Sequence, residues 1–164
     1  MDKMYYFKIV DWRISYNKEV EIKVLPHLKK FIPKFFKQQE PVKVDFNTSM
    51  GTAFNSVLRK KSNYRKDRDR YTSSMRFLLN DDLSKLSLQH QYLVQFNVEF
   101  DRIFKESMYS WVLAQSNLCA SDSQAVRNFL EYYNINEGEL SFDSAYTMYN
   151  RYKKEYFKNK RAVV

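Results

Sequence analysis

Glycine occurs twice and proline three times in 164 residues, too few for the tight turns of an all-β chain or for the composition of a disordered one. Helices should therefore dominate. Cysteine occurs once, at Cys119, which excludes an internal disulfide and leaves no second thiol to share a zinc ion; the expected location is a reducing compartment, the cytoplasm. The two histidines, His27 and His90, stand far apart and outside any metal-ligand spacing. No apolar run approaches the roughly 20 residues that cross a bilayer, and the opening "MDKMYYFKIVDW" lacks the core of a signal peptide. The single glycine of "MGTAF" (50–54) cannot build a phosphate-cradling nest. Neither membrane, metal nor cofactor is expected.

Aromatic residues and positive charge are plentiful instead. Thirteen Tyr, thirteen Phe and two Trp supply a core large enough for one domain that needs no covalent staple. The net charge of +9 is unevenly spread. Residues 1–76 carry 18 Lys/Arg against 8 Asp/Glu, residues 77–150 carry 4 against 10, and residues 151–164 carry 6 against 1. Two basic regions thus flank an acidic middle, and polyanions become the first partners to consider.

Periodicity divides the chain. In "KEVEIKV" (18–24) Val20, Ile22 and Val24 alternate with charged residues, the pattern of a half-buried strand. With "YYFKIVDWRI" before it and "PVKVDF" after it, strands are expected at about 5–14, 19–25 and 42–46 in a small antiparallel sheet. Between them, 26–38 reads as a short helix strained by Pro33. From residue 47 the spacing turns helical: Met50, Phe54, Val57 and Leu58 share one face, and Tyr71, Met75, Leu78 and Leu79 another. The stretch 88–100 fits both periods and is read as helix, since Gln and Glu are good helix formers and no breaker intervenes before Asn117. Helices at 121–133 and 141–161 end the chain. The expected class is α+β and predominantly helical, with a β-rich part at 1–46 and a body of about four to five helices at 47–164 forming one domain.

The densest charge lies in "RKKSNYRKDRDRY" (59–71), with seven cations among thirteen residues. As a helix it would be charged all round, so it projects or connects rather than packs. Arg59, Lys60, Lys61, Arg65, Lys66, Arg68 and Arg70 could grip phosphates, and Tyr64 and Tyr71 could stack on unpaired bases. Asp67 and Asp69 favour the plainer alternative, a solvated connector paired within itself. A second cluster, "RYKKEYFKNKR" (151–161), tips the balance: Arg151, Lys153, Lys154, Lys158, Lys160 and Arg161 alternate with Tyr152 and Tyr156. Lys29, Lys30, Lys34 and Lys37 add to the positive field. The reading that results is a non-enzymatic nucleic-acid binder, with RNA or a nucleoprotein complex favoured over duplex DNA. The last two helices could form a helix-turn-helix, but their cations lie at the C-terminal end of the second helix. Reading helices contact bases from their N-terminal part, and cations there also complement the helix dipole.

Two alternatives remain from other classes. The acidic middle suits a protein-interaction module that meets an acidic partner through its basic flanks, or a small inhibitor of the mobile-element kind that occupies a nucleic-acid-handling, RNA-guided effector; the charge separation also suits head-to-tail self-association. Asp11 with Glu21 and Lys23 has the acid, then acid-x-Lys, order of a Mg²⁺-dependent nuclease hairpin. However, Glu21 and Lys23 are also simply the outward positions of an alternating strand.

Overall fold

A computed structural model describes residues 16–45, 47, 48, 50–52, 54, 55, 70–80, 90–115 and 118–161, without the side chains of 16, 17, 90–93 and 157–161. Strand β1 (Tyr16–Val24) buries Ile22 and Val24 on one face and turns Glu19, Glu21 and Lys23 to solvent, as its alternation requires. Helix α1 (Pro26–Phe35) follows directly, with Pro26 in its first turn, where a missing N–H costs nothing. It buries His27, Leu28, Phe31 and Ile32 and ends at Phe35, two residues after Pro33. Lys37 then takes a left-handed conformation, φ 53°, and Gln38 N–H donates to the Pro33 carbonyl at 2.8 Å. That is the helix stop glycine normally makes, built here without one.

Strand β2 (Val42–Val44) buries Val42 and Val44. The chain then turns at Asp45, whose carbonyl accepts from Thr48, and residues 50–52 and 54–55 are helical behind the Thr48 hydroxyl, which accepts from Gly51 N–H at 3.1 Å. The third strand, β3 (Ser73–Asn80), occupies the middle of the sheet, in the order β1-β3-β2. It runs antiparallel to β1, with Glu21 opposite Arg76 and Ile22 opposite Met75, and parallel to β2, with Val42 opposite Phe77.

The α+β, mostly helical class therefore holds, with two corrections of detail. The sheet is mixed, because the segment between β2 and β3 returns the chain to the same end of the sheet. Residues 71–79, expected to be helical, contain β3. Met75, Leu78 and Leu79 have helical spacing, but the buried residues are Met75, Phe77 and Leu79, with Arg76 exposed and Leu78 half-buried. A run this short satisfies both periods, and pairing along both edges decides it. The third strand accordingly comes from the part expected to be purely helical, and the proposed strand at 5–14 lies outside the described residues.

Helix α2 (His90–Gln115) bears out the helical reading of 88–100 from residue 90 onward, residues 88 and 89 lying outside the described residues, and, at 26 residues, is the spine of the molecule. It packs against α1, β1 and both later helices, α3 (Asp122–Tyr132) and α4 (Phe142–Arg161). Phe96, Phe100, Phe104, Met108 and Val112 form its buried row. Asn97, also buried, accepts from Leu25 N–H at 2.8 Å and donates to the Lys23 carbonyl at 2.9 Å, so α2 clamps the point where β1 becomes α1. A chain of ring contacts, Phe54–Phe77–Phe96–Phe100, joins the sheet to α2, and Phe31–Phe104–Phe129–Tyr133 joins α1 to α3. Helix α3 is capped by Ser121, whose hydroxyl accepts from Gln124 N–H, and is stopped just past its end by Asn134, φ 57°, with Ile135 N–H bonded to the Leu130 carbonyl.

Candidate nucleic-acid interface

Helix α4 is capped by Ser141, whose hydroxyl accepts from Ser144 N–H. One row, Ala145 and Tyr149, is buried against its neighbours. The next turns leave the core: Tyr152 is half-buried and Tyr156 is 37% exposed. Tyr109 of α2 lies among these rings, 6.1 Å from Tyr149, 5.2 Å from Tyr152 and 5.0 Å from Tyr156. A tyrosine cluster thus runs from the core to the surface along α4. Arg151 and Lys154 stand exposed, as does Glu155; at 100° per residue they face away from the ring cluster, which reaches the surface at Tyr156. At the other end of α4, the Arg127 guanidinium lies 3.6 Å over the Phe142 ring, which stacks on Tyr146 with an interplanar angle of 13°.

Lys153 is differently placed. Its Nζ donates to Asp122 Oδ2 at 2.7 Å, and Tyr149 OH donates to the same oxygen at 2.8 Å. Lys153 and Tyr149 together hold the Asp122 carboxyl below its ordinary range against a smaller effect of burial, and Asp122 in turn raises the Lys153 ammonium. Burial first, and then the hydrogen bond to Asp122, push Tyr149 up to about 12. Asp122 also stands in the first turn of α3, where a negative charge suits the helix dipole. This lysine is therefore built into the α3–α4 contact.

Of the other sequence-proposed residues, Arg70 is exposed and Tyr71 half-buried just before β3. Arg59, Lys60, Lys61, Tyr64, Arg65, Lys66 and Arg68 lie outside the described residues, as do the side chains of Lys158, Lys160 and Arg161, whose backbone completes α4. On α1, Lys29, Lys30 and Lys34 are exposed, as is Lys37 after it. Lys34 is occupied: its ammonium donates to the Tyr132 carbonyl and sits 4.1 Å from the centre of the Tyr132 ring. Of the nuclease trio, Glu21 and Lys23 are on the solvent side of β1 and Asp11 lies outside the described residues; among the described residues no group of three His, Cys, Asp or Glu is placed to hold a metal. Residues 133–141 separate α3 from α4, far longer than the turn of about three to four residues in a helix-turn-helix.

One feature carried no signal in the sequence. Between the end of α1, the middle of α2 and the end of α3 lies an open groove of about 530 Å³. Phe35, Trp111, Phe129 and Tyr133 give it aromatic walls, and Glu106, Ser107 and Ser110 its polar atoms. Tyr132 lies beside it, its ring 5.0 Å from Trp111 and tilted by 36°, and is 47% exposed; Phe35 is 39% exposed. The Trp111 Nε1 atom is buried with no hydrogen-bond partner among the described residues. Arg102 bridges Glu99, at 2.6 Å, and Glu106, and both carboxylates raise its guanidinium. Among the described residues, side chains from three separate helices make this groove, and the aromatic spacing of each helix alone reads as core.

On the opposite side of α2, His27 Nε2 is 3.2 Å from Asp101 Oδ1 and Lys105 Nζ is 2.6 Å from Asp101 Oδ2. Burial alone would raise the Asp101 carboxyl; hydrogen bonds from His27 and Lys105 outweigh it and hold the group low. Among the described residues, no helix is long and apolar enough to cross a membrane. No protein-family model, curated protein or solved structure matches the chain.

Proposed function

We propose that the protein binds RNA, free or within a nucleoprotein complex, along the outward face of α4, and acts by binding rather than by catalysis. The observation that carries this reading is the pair of exposed cations Arg151 and Lys154 on α4, interleaved in sequence with half-buried Tyr152 and exposed Tyr156, which pack on Tyr109. Cations along such a face meet the backbone, while rings at its edge offer a surface to unpaired bases. Arg70 and Tyr71 repeat the cation–ring pairing at the start of β3, and the run 59–68 precedes them in sequence. The single thiol, half-buried and in contact with Gln115 and Asn128, suits a cytoplasmic setting.

The test is fluorescence anisotropy with single-stranded RNA, single-stranded DNA and duplex DNA over about 50 to 300 mM salt. Arg151→Ala/Lys154→Ala should weaken RNA binding and flatten its salt slope by about 0.7 per lost phosphate contact. Replacing Arg65, Lys66, Arg68 and Arg70 by alanine tests the other cluster in the same way. RNA binding that is weak and unaltered by either set would refute the reading.

A second reading, a protein-interaction module or an inhibitor of a nucleic-acid-handling effector, draws support from the aromatic groove. Exposed Phe and Tyr beside a Trp are the anchors that protein interfaces favour. The same charge separation supports self-association, which sedimentation at low and high salt would detect.

A further inference from the structure

We propose that the groove between α1, α2 and α3 is a slot for one unstacked nucleobase of the bound strand, an inference that rests on the RNA-binding reading and adds to it a defined base site. Three features favour this occupant. The volume, about 530 Å³, falls within the range of about 300 to 1,000 Å³ common for small-molecule sites. Phe35, Trp111 and Tyr133 offer ring faces or edges, while Glu106, Ser107 and Ser110 offer polar atoms on one side, the side of α2. A base needs both, a face to stack on and partners for its edge.

Charge excludes the rival occupants. Among the described residues, Arg102 is held between Glu99 and Glu106 and Lys34 by Tyr132, so neither is spare for a phosphate. A partner's arginine would have to share Glu106 with Arg102, placing two guanidinium groups side by side. A neutral planar group meets neither obstacle. The Glu106 carboxylate accepts hydrogen bonds only, so it selects a base edge that donates, such as the amino group of guanine, adenine or cytosine. The buried, unpartnered Trp111 Nε1 adds a donor in the wall that a base acceptor would satisfy once the ring tilts.

The groove neighbours the α2–α4 contact, where Tyr109, one turn past Glu106, meets the Tyr152 and Tyr156 rings. Glu106 lines the groove and is near enough to α4 for its charge to act on the Tyr152 hydroxyl, where burial and then Glu106 raise the phenol. A strand that follows Tyr152 and Tyr156 therefore comes near the α2 rim of the slot.

The experiment is a cycle of protein and ligand. Wild type, Ser107→Leu/Ser110→Leu, which fills the slot from half-buried and exposed positions, and Glu106→Gln are each titrated with an RNA of roughly ten nucleotides. Each is also titrated with an abasic strand of equal length and charge, after circular dichroism has confirmed the fold. Filling the slot should cost about tenfold on the RNA, in line with the loss of one stacked base, and nothing on the abasic strand. Salt slopes should stay unchanged, and Glu106→Gln should lower the preference for amino-bearing bases even where the double variant folds poorly. Equal losses on both strands, or none on either, would overturn the slot while leaving the RNA-binding reading in place. If neither strand binds, the RNA-binding reading fails. The slot then stands only if free GMP or AMP broadens in ligand-observed NMR with wild type and not with the filled variant, and falls otherwise. A variant that loses a protein partner while binding RNA as before would assign the groove to that partner and overturn the base.

Discussion

Asp122→Asn should tighten RNA binding and loosen the fold at once. In the wild type the Asp122 carboxylate holds Lys153 at 2.7 Å and accepts from Tyr149 at 2.8 Å. The two charged side chains are 40% and 37% exposed, so solvent screens the pair and it contributes only about 0–1 kcal/mol. A phosphate that reaches Lys153 must still displace this carboxylate and approach its negative charge. Asparagine removes the charge, keeps the size and can go on accepting from Tyr149. The released lysine can then neutralise one phosphate, which steepens the dependence of log affinity on log salt by about 0.7 for a single strand. Near 0.1 M salt that amounts to about a fivefold gain in affinity. The fold loses the pair and the favourable charge at the start of α3, together about 1 kcal/mol, which lowers Tm by about 2–4 °C in a chain of this size. Lys153→Ala closes the cycle: it should cost less than about twofold in wild type and the full fivefold in the Asp122→Asn background. Anisotropy across a salt series and calorimetry on the same preparations give both readouts. Unchanged affinity and slope in Asp122→Asn would refute the reasoning and place Lys153 off the interface.

Asn97→Ala should be among the most costly polar substitutions. It leaves the Leu25 N–H and the Lys23 carbonyl without their buried partner, a loss of about 2–4 kcal/mol, seen as a lower urea midpoint with an unchanged slope. Lys37→Gly should have the opposite effect: at φ 53° a lysine carries a left-handed penalty of about 1 kcal/mol that glycine does not, so Tm should rise by about 2–4 °C. Acid should destabilise the protein through Asp101 and Asp122, both lowered in the folded state. Their contribution is complete above the unfolded value of about 3.9 and is lost as pH falls through the lower folded values. Asp101→Asn should therefore flatten the acid limb of a stability–pH curve below about pH 4, and an identical limb would count against the ion pairs.

Local pattern exposed most of the elements and little of the surface that matters. β1, α2, α3 and α4 were legible because each carries enough residues to show its period, and because Ser121 and Ser141 mark helix starts by their chemistry. β3 was not, since Met75, Leu78 and Leu79 mimic a helix over a run too short to disprove one, and only pairing with β1 and β2 settles it. The end of α1 was hidden for a different reason: Lys37 performs a glycine's task. The same limit governs the candidate site. A row of tyrosines on α4 can be read from spacing, but spacing cannot say that Tyr149 lies within the core, that Tyr156 reaches the surface, or that Asp122, thirty-one residues away in sequence, has claimed Lys153. The groove lies further still from view, because Phe35, Glu106, Trp111 and Tyr133 each look like ordinary helix positions until three helices bring them together. A charge cluster in a sequence is therefore an upper bound on the cations a ligand can use. On α4 the described structure leaves Arg151 and Lys154 exposed and ties down Lys153, so substitutions at the first two should dominate the salt dependence while the third should matter only after its partner is removed.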